Sequence, residues 1–368
     1  MKAIYFVLGV ACLFACKKEE APIKASYLDL PAQPATYFDF EGANNNLPEL
    51  GRVLFYDKSL SINNSVSCGS CHKQAFGFAD NVAFSRGFDN QLTLRNSMPI
   101  QNLGSFVSFV GEVGIKEGDR FFPGFGQRLF WDGREQELNK MVLRPVLNHI
   151  EMGISDIPKL AEKLMTIPYY KPLFKKAYES DDITPQKIAD ALTSFVNSIH
   201  TDHTKLDKAR AGGTPLSALE LKGRSLFFEK YDCNSCHQVE MPNGYAIFGG
   251  GFANIGLNDI YSDEGLSKTT GNATDAGKFK IPSLRNVSLT GPYMHDGRFS
   301  TLEEVMEHYS DKIATHPNLD MRLRDGNGMA RKMSISESER QALIAFLHTL
   351  TDYEVAADPK FANPFKSK

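Results

Sequence analysis

Apolar residues fall at helical spacing in two stretches far apart in the chain, 191–199 (ALTSFVNSI) and 342–350 (ALIAFLHTL), and each predicts an amphipathic helix. Both have starts of suitable chemistry. Thr184 precedes Pro185, a residue suited to a first helical turn, and Ser336 with Glu339 has the capping-box pattern. Ser217 with Glu220 and Thr301 with Glu304 mark two more starts in the same way. Strand signals are sparse, and polar Gly-rich stretches, notably residues 243–280, read as long loops. A polar stretch from His200 to Pro215, with Gly212 and Gly213 inside it, predicts a domain boundary. The expected fold class is therefore all-α, in two helical domains with long loops.

The two halves also repeat a set of landmarks in the same order. Segment 51–58 (GRVLFYDK) matches 223–230 (GRSLFFEK), and Leu94-Arg95-Asn96 answers Leu284-Arg285-Asn286. Trp131-Asp132-Gly133-Arg134 with Leu138 answers His295-Asp296-Gly297-Arg298 with Leu302, and the helices 191–199 and 342–350 close each half alike. The chain reads as an internal duplication.

At the N-terminus, Met1, Lys2 and Ala3 precede an apolar run over residues 4–14 that is too short to cross a bilayer and reads as an export signal. Its end, Leu13-Phe14-Ala15-Cys16, resembles a bacterial lipoprotein signal, cut before a cysteine that then carries lipid; an ordinary secretory peptide is the alternative. Lys17-Lys18-Glu19-Glu20 resembles a lipoprotein surface-export tag, or is a solvated tether. The expected location is the periplasmic side or the outer membrane, including the cell surface, with the lipid as the sole membrane contact. The expected organisation is a signal peptide over 1–15, a tether over 16–46, an N-terminal domain over 47–210, a C-terminal domain over 211–355 and a tail over 356–368. The length, 368 residues, suits two domains, and a composition 42% hydrophobic and 23% charged excludes a disordered or coiled-coil chain. Lys and Arg number 41 against 44 Asp and Glu, a balance that lacks the basic excess of a nucleic-acid binder.

The six cysteines stand at positions 12, 16, 68, 71, 233 and 236. Processing would remove Cys12 and lipidate Cys16. The other four lie in Cys68-Gly69-Ser70-Cys71-His72 and Cys233-Asn234-Ser235-Cys236-His237, two copies of the haem c attachment pattern. Two thiols three apart reach the two vinyl groups on one haem edge, and the adjacent imidazole becomes an axial ligand of the iron. Zinc or a thiol–disulfide pair could use the cysteines, but neither needs a histidine directly after both pairs. Each domain is thus expected to be cytochrome c-like, with one covalent haem c.

From about Pro48 to Leu350 the chain resembles the bacterial dihaem cytochrome c peroxidases and their MauG-like relatives. The motifs that carry the resemblance are the paired CxxCH, Leu94-Arg95-Asn96-Ser97, Phe130-Trp131-Asp132-Gly133-Arg134, Ile150-Glu151-Met152-Gly153 and Pro292-Tyr293-Met294-His295-Asp296-Gly297. The resemblance implies that His72 ligates a first, peroxide-reactive haem and His237 a second haem that relays electrons. It makes Glu151 the distal acid–base and Trp131, the single tryptophan, a bridge between the haems. A Gln that the family often has ten residues after that tryptophan is Met141 here. Asn96, with the carbonyls of Thr290 and Pro292, matches an interdomain calcium site. Tyr309 stands where a methionine usually ligates the second iron, with Met306, His308 and Met294 as nearby competitors. Successive helical residues point about 100° apart, so His308 is expected on the surface if Tyr309 faces the iron. His295 matches a family histidine near the haems and reads equally as a buried, hydrogen-bonded side chain. Phe88 falls where many members have a loop histidine that caps the first iron, and Pro145 lies opposite Tyr309 across the duplication; neither side chain can be a ligand.

The function implied is reduction of hydrogen peroxide to water with electrons from a small cytochrome c or cupredoxin, by a monomer or homodimer. The alternatives are MauG-like oxidation of a partner protein and a dihaem electron carrier without peroxidase activity. Two covalent haems per chain are the first expectation to test: acid-acetone extraction should release none, and a pyridine haemochrome assay should count two.

Overall fold

A computed structural model describes residues 46–103, 115–117, 120–122, 128–239 and 251–365. The expected leader and lipid site, the tether up to residue 45 and residues 243–250 of the expected loop lie outside them. Helix α1 (Asn46–Tyr56) packs on α2 (Pro185–Ser198) in the first domain, and α3 (Ala218–Ser225) packs on α5 (Glu337–His348) in the second. Thr184 caps α2 by accepting from the Lys187 N–H. Reciprocal capping boxes open α3 at Ser217, α4 (Leu302–Asp311) at Thr301 and α5 at Ser336.

The repeated Gly-Arg sets the helix crossing in both domains. A Cβ on Gly51 would stand 1.9 Å from the Ala191 carbonyl oxygen and 2.7 Å from Phe195 Cβ; on Gly223 it would stand 1.9 Å from Ala342 O and 2.8 Å from Phe346 Cβ. Only a hydrogen lets the two backbones come so close. The aromatic pair beside the crossing is reproduced as well: Phe55 and Phe195 lie 5.1 Å apart at 55°, and Phe227 and Phe346 lie 5.3 Å apart at 55°. These pairs anchor two separate hydrophobic cores.

Two features depart from the expected all-α reading. The fold is mostly helical and cytochrome c-like, yet short antiparallel strands pair Ile115–Glu117 with Arg120–Phe122 and Phe252–Ala253 with Lys280–Phe279. Extended segments that run side by side in this way satisfy their own N–H and C=O groups. Residues 356–365 are not a tail. After the short helix α6 (Tyr353–Ala357), the chain returns to the first domain and buries Phe361 to 1% exposure against Phe78 and Phe195. The buried Arg52 holds this return by donating to the carbonyls of Pro359, Lys360 and Ala362. Among the described residues no helix is long and apolar enough to cross a membrane.

The glycine crossing yields a stability test. Gly51→Ala must push α1 off α2 and should cost about 2–3 kcal/mol, the usual scale of overpacking. Gly326→Ala, in open space, should leave the denaturant midpoint within error of the parent.

Candidate functional site

In the second domain a short helix, Asn234–His237, presents Cys233, Cys236 and His237 to one cavity. His237 Nδ1 lies 3.1 Å from the Pro282 carbonyl, which makes Nδ1 the protonated nitrogen and leaves the lone pair on Nε2. Burial pushes the imidazole down to about 4, so it is neutral and able to bind a metal at ordinary pH. From α4, Leu302, Val305, Met306 and Tyr309 all line the cavity, at the i, i+3, i+4, i+7 spacing of one helical face. Burial raises the Tyr309 phenol far above its ordinary range, and the nearby Cys236 and Cys233 add to this. Met294 also lines the cavity.

His308, expected on the surface, is buried to 3% exposure with Nε2 3.0 Å from the Ile255 carbonyl. Its ring meets that of Tyr309 edge-on, with centres 5.3 Å apart, and the segment around Ile255 covers α4 on that side.

In the first domain the helix Cys68–Cys71 precedes His72, whose Nδ1 lies 2.9 Å from the Phe78 carbonyl. The same tautomer follows, and burial again lowers the imidazole's pKa. Burial raises the Cys68 thiol to about 12 and Cys71 to about 11. The charge of Glu151 adds to both, which puts its carboxylate near the motif. Burial raises the pKa of Glu151 itself against the opposing pull of Arg134. Asn148 builds the turn that carries it: Asn148 Nδ2 donates to Glu151 Oε1 at 2.9 Å, Asn148 Oδ1 accepts from Ile150 N–H at 2.8 Å, and its carbonyl accepts from Gly153 N–H at 2.8 Å. Phe88 belongs to the same assembly, since its N–H donates to the Glu151 carbonyl and its ring lies against Gly153. Pro145 lies in the short helix Arg144–Leu147, and Met141 is buried in the first domain's core.

Between the two motifs, the Trp131 indole N–H donates to the Asn96 carbonyl at 2.9 Å, and the Asn96 N–H donates to the His295 carbonyl at 2.8 Å. Asn96 Nδ2 donates to the Val82 carbonyl, and Asn96, Thr290 and Pro292 all line the second-domain cavity, as does Trp131. His295 is buried and stacked on Phe279 with ring centres 3.6 Å apart, and its Nδ1 has no partner. It is therefore buried without the hydrogen bond expected at Nδ1. Arg95 reaches from the first domain to Asp132 at 2.6 Å and, by two bonds of 2.6 and 2.8 Å, to Asp263 of the second.

Sequence reasoning missed Asn148 and Lys280. Asn148, three residues before Glu151, carries the signal of a side chain that caps its own turn. Lys280 lines the cavity beside Trp131 and donates to the Arg128 carbonyl at 2.7 Å, with burial pushing it down to about 8. No local pattern marks it. The donor set fits two haem c groups: a thiol pair beside each of two histidines whose Nδ1 meets a backbone carbonyl. At the second motif a largely apolar cavity adjoins these donors.

Comparison with known proteins agrees. A sequence profile described as di-haem cytochrome c peroxidase matches residues 45–214. A cytochrome c551 peroxidase of Nitrosomonas europaea is 32% identical over 283 residues, 75% of this chain and 76% of that protein. The methylamine utilization protein MauG of Methylorubrum extorquens is 30% identical over 342 residues, 90% of this chain and 87% of that protein. The crystal structure of a MauG-like protein associated with microbial copper homeostasis superposes with a TM-score of 0.71 at 30% identity, covering 96% of this chain and 99% of its own. A dihaem peroxidase of Burkholderia thailandensis shares the fold at 20% identity, with a TM-score of 0.66 over 83% of this chain and 86% of its own.

The Arg95 clamp carries a pH dependence. Burial alone would raise the pKa of Asp263, but the hydrogen bonds from Arg95 and the Gly265 N–H hold it down at about 2. A depressed carboxylate pKa stabilises the fold fully above its unfolded value near 4, and this contribution disappears as pH falls through about 2. Asp263→Asn should cost about 1–2 kcal/mol at pH 7, allowing for partial exposure, and the difference from the parent should vanish toward pH 2 in urea melts.

Proposed function

The chain belongs to the di-haem cytochrome c peroxidase family and is an oxidoreductase acting on peroxide with two haem c groups; on that premise we propose a division of labour between its domains. Cys68 and Cys71 attach the first haem and His72 ligates it; Cys233, Cys236 and His237 do the same for the second. In each case the carbonyl on Nδ1 supports the assignment, because it fixes the tautomer a ligand needs. When bound, the first haem supplies the redox chemistry that takes hydrogen peroxide, two electrons and two protons to two waters.

The observation that carries the catalytic reading is Glu151, a half-buried carboxyl held by Asn148 Nδ2 at 2.9 Å, whose charge is felt by both Cys68 and Cys71 and whose pKa burial raises. Its carboxylate takes the proton from one peroxide oxygen and returns it to the other as that oxygen departs. Asn148 holds the carboxylate in place through Oε1. Phe88 offers no lone pair, so the site is ready for peroxide without prior reduction. Trp131 carries electrons between the haems, its N–H satisfied by Asn96. The donor is a small cytochrome c or cupredoxin, and calcium bound by Asn96 with the Thr290 and Pro292 carbonyls steadies the junction. The protein works outside the inner membrane, held by lipid on Cys16.

Tyr309 favours a second reading, MauG-like oxidation of a partner protein. Its hydroxyl shares the cavity with His237, and a tyrosinate ligand would stabilise the higher oxidation states of the second iron. Peroxide-driven crosslinking of a candidate protein, set against turnover with reduced cytochrome, separates the two readings.

Stopped-flow mixing of the resting ferric protein with peroxide tests the main reading. The parent should show a rapid Soret change whose rate falls as pH drops through a pKa above the usual carboxylate value. Glu151→Gln should keep both haems, react about 10²–10⁴-fold more slowly and lose that acid limb. Turnover within threefold of the parent would remove Glu151 from the mechanism.

A further inference from the structure

The returning chain end closes over the residues that surround the first attachment motif. Gln74, two residues after His72, donates through Nε2 to the carbonyls of Val355 at 2.9 Å and Asp358 at 2.8 Å. Tyr56 donates to the Phe361 carbonyl at 2.7 Å, and the ring of the same Tyr56 lies 2.5 Å from where a Cβ on Gly69 would stand, inside the Cys68–Cys71 helix. Phe361 meets Phe78 edge-on, with ring centres 6.1 Å apart at 90°.

Phe78 is the residue whose carbonyl accepts from His72 Nδ1. It sits at φ 58, in the left-handed region that an aromatic residue seldom adopts, and it is fully buried. A backbone in that state needs its surroundings to hold it. Phe55 and Phe361 are the rings that pack on it, and Phe361 comes from the far end of the chain. The second histidine has a different arrangement, since its carbonyl belongs to Pro282, 45 residues away in sequence.

We propose that the C-terminal strap, residues 353–365, is a positioning device for the first haem. Phe361 holds Phe78 in its left-handed conformation and so aims the carbonyl that orients the His72 imidazole and raises its basicity toward iron. The proposal rests on the reading of His72 as that iron's ligand. A hydrogen bond on Nδ1 makes the imidazole a stronger donor and favours ferric iron, so loosening the bond should raise the reduction potential.

The test uses the full-length protein carrying both haems, with Phe361→Ala, Phe361→Leu and, as a control, Tyr353→Ala, an exposed strap residue. Potentiometric titration followed optically, together with EPR of the ferric state, reads each haem separately. Phe361→Ala should raise the midpoint of the first haem and alter its spin signature, with a smaller effect for Phe361→Leu. The second haem and the Tyr353→Ala protein should match the parent. If the alanine variant does not fold, the near-isosteric leucine variant decides. Parent-like values for the first haem, or equal shifts at both haems, would overturn the proposal. Peptide mass analysis of the parent showing no haem on Cys68 and Cys71 would instead overturn the ligand reading, and the proposal with it.

Discussion

The middle of this molecule hangs from the backbone of one residue. The N–H of Asn96 holds the His295 carbonyl and its C=O takes the Trp131 indole, so one residue joins the corresponding members of the two repeated Asp-Gly-Arg motifs. Asn96 and Trp131 are buried, and leaving either bond unmade would strand a polar group in a low-dielectric interior at a cost of about 1–3 kcal/mol. Arg95, the next residue, clamps Asp132 and Asp263 beside the same knot. The orientation of Trp131 and its place against His295 and the second cavity depend on where Asn96 sits.

Duplication explains both the likeness and the divergence of the halves. The glycine crossing and its aromatic pair are copied almost to the tenth of an ångström, because helix contact at that distance admits one solution. The Leu-Arg-Asn motif is copied in sequence and reused differently. Arg95 spans the domains, whereas Arg285 pairs with Asp207; Asn96 ties Trp131, whereas Asn286 accepts from the Asp352 N–H at 2.6 Å and fastens the start of the returning strap. Asymmetry of this kind lets two similar domains serve two different haems.

Legibility followed the range of the interaction concerned. All four helix starts could be read because a cap and its partner lie three residues apart. The haem motifs could be read because covalent chemistry imposes their spacing, and Glu151 and Tyr309 could be placed by register within a resemblance. Tyr309, Met306, Trp131 and His237 line one cavity. The rest depended on contacts distant in sequence. The burial of His308 follows from Ile255, 53 residues earlier. Lys280 acquires its setting from Arg128, and Phe361 reads as one aromatic in a charged terminus until Arg52 and Phe78 are seen around it. The carbonyls on the two histidines also escaped, since no pattern in a CxxCH motif says which loop will supply them.

That last segment also governs the order in which the chain can mature. Domains ordinarily fold as they emerge, N-terminal first. Here the first domain lacks Phe361 and the three carbonyls on Arg52 until residues 359–362 have followed the whole of the second domain. The half that is made first is therefore completed only after the other, and the Cys68-to-His72 segment stays unbraced while the second domain is still being delivered. A chain cut short near its end would lose support at its beginning.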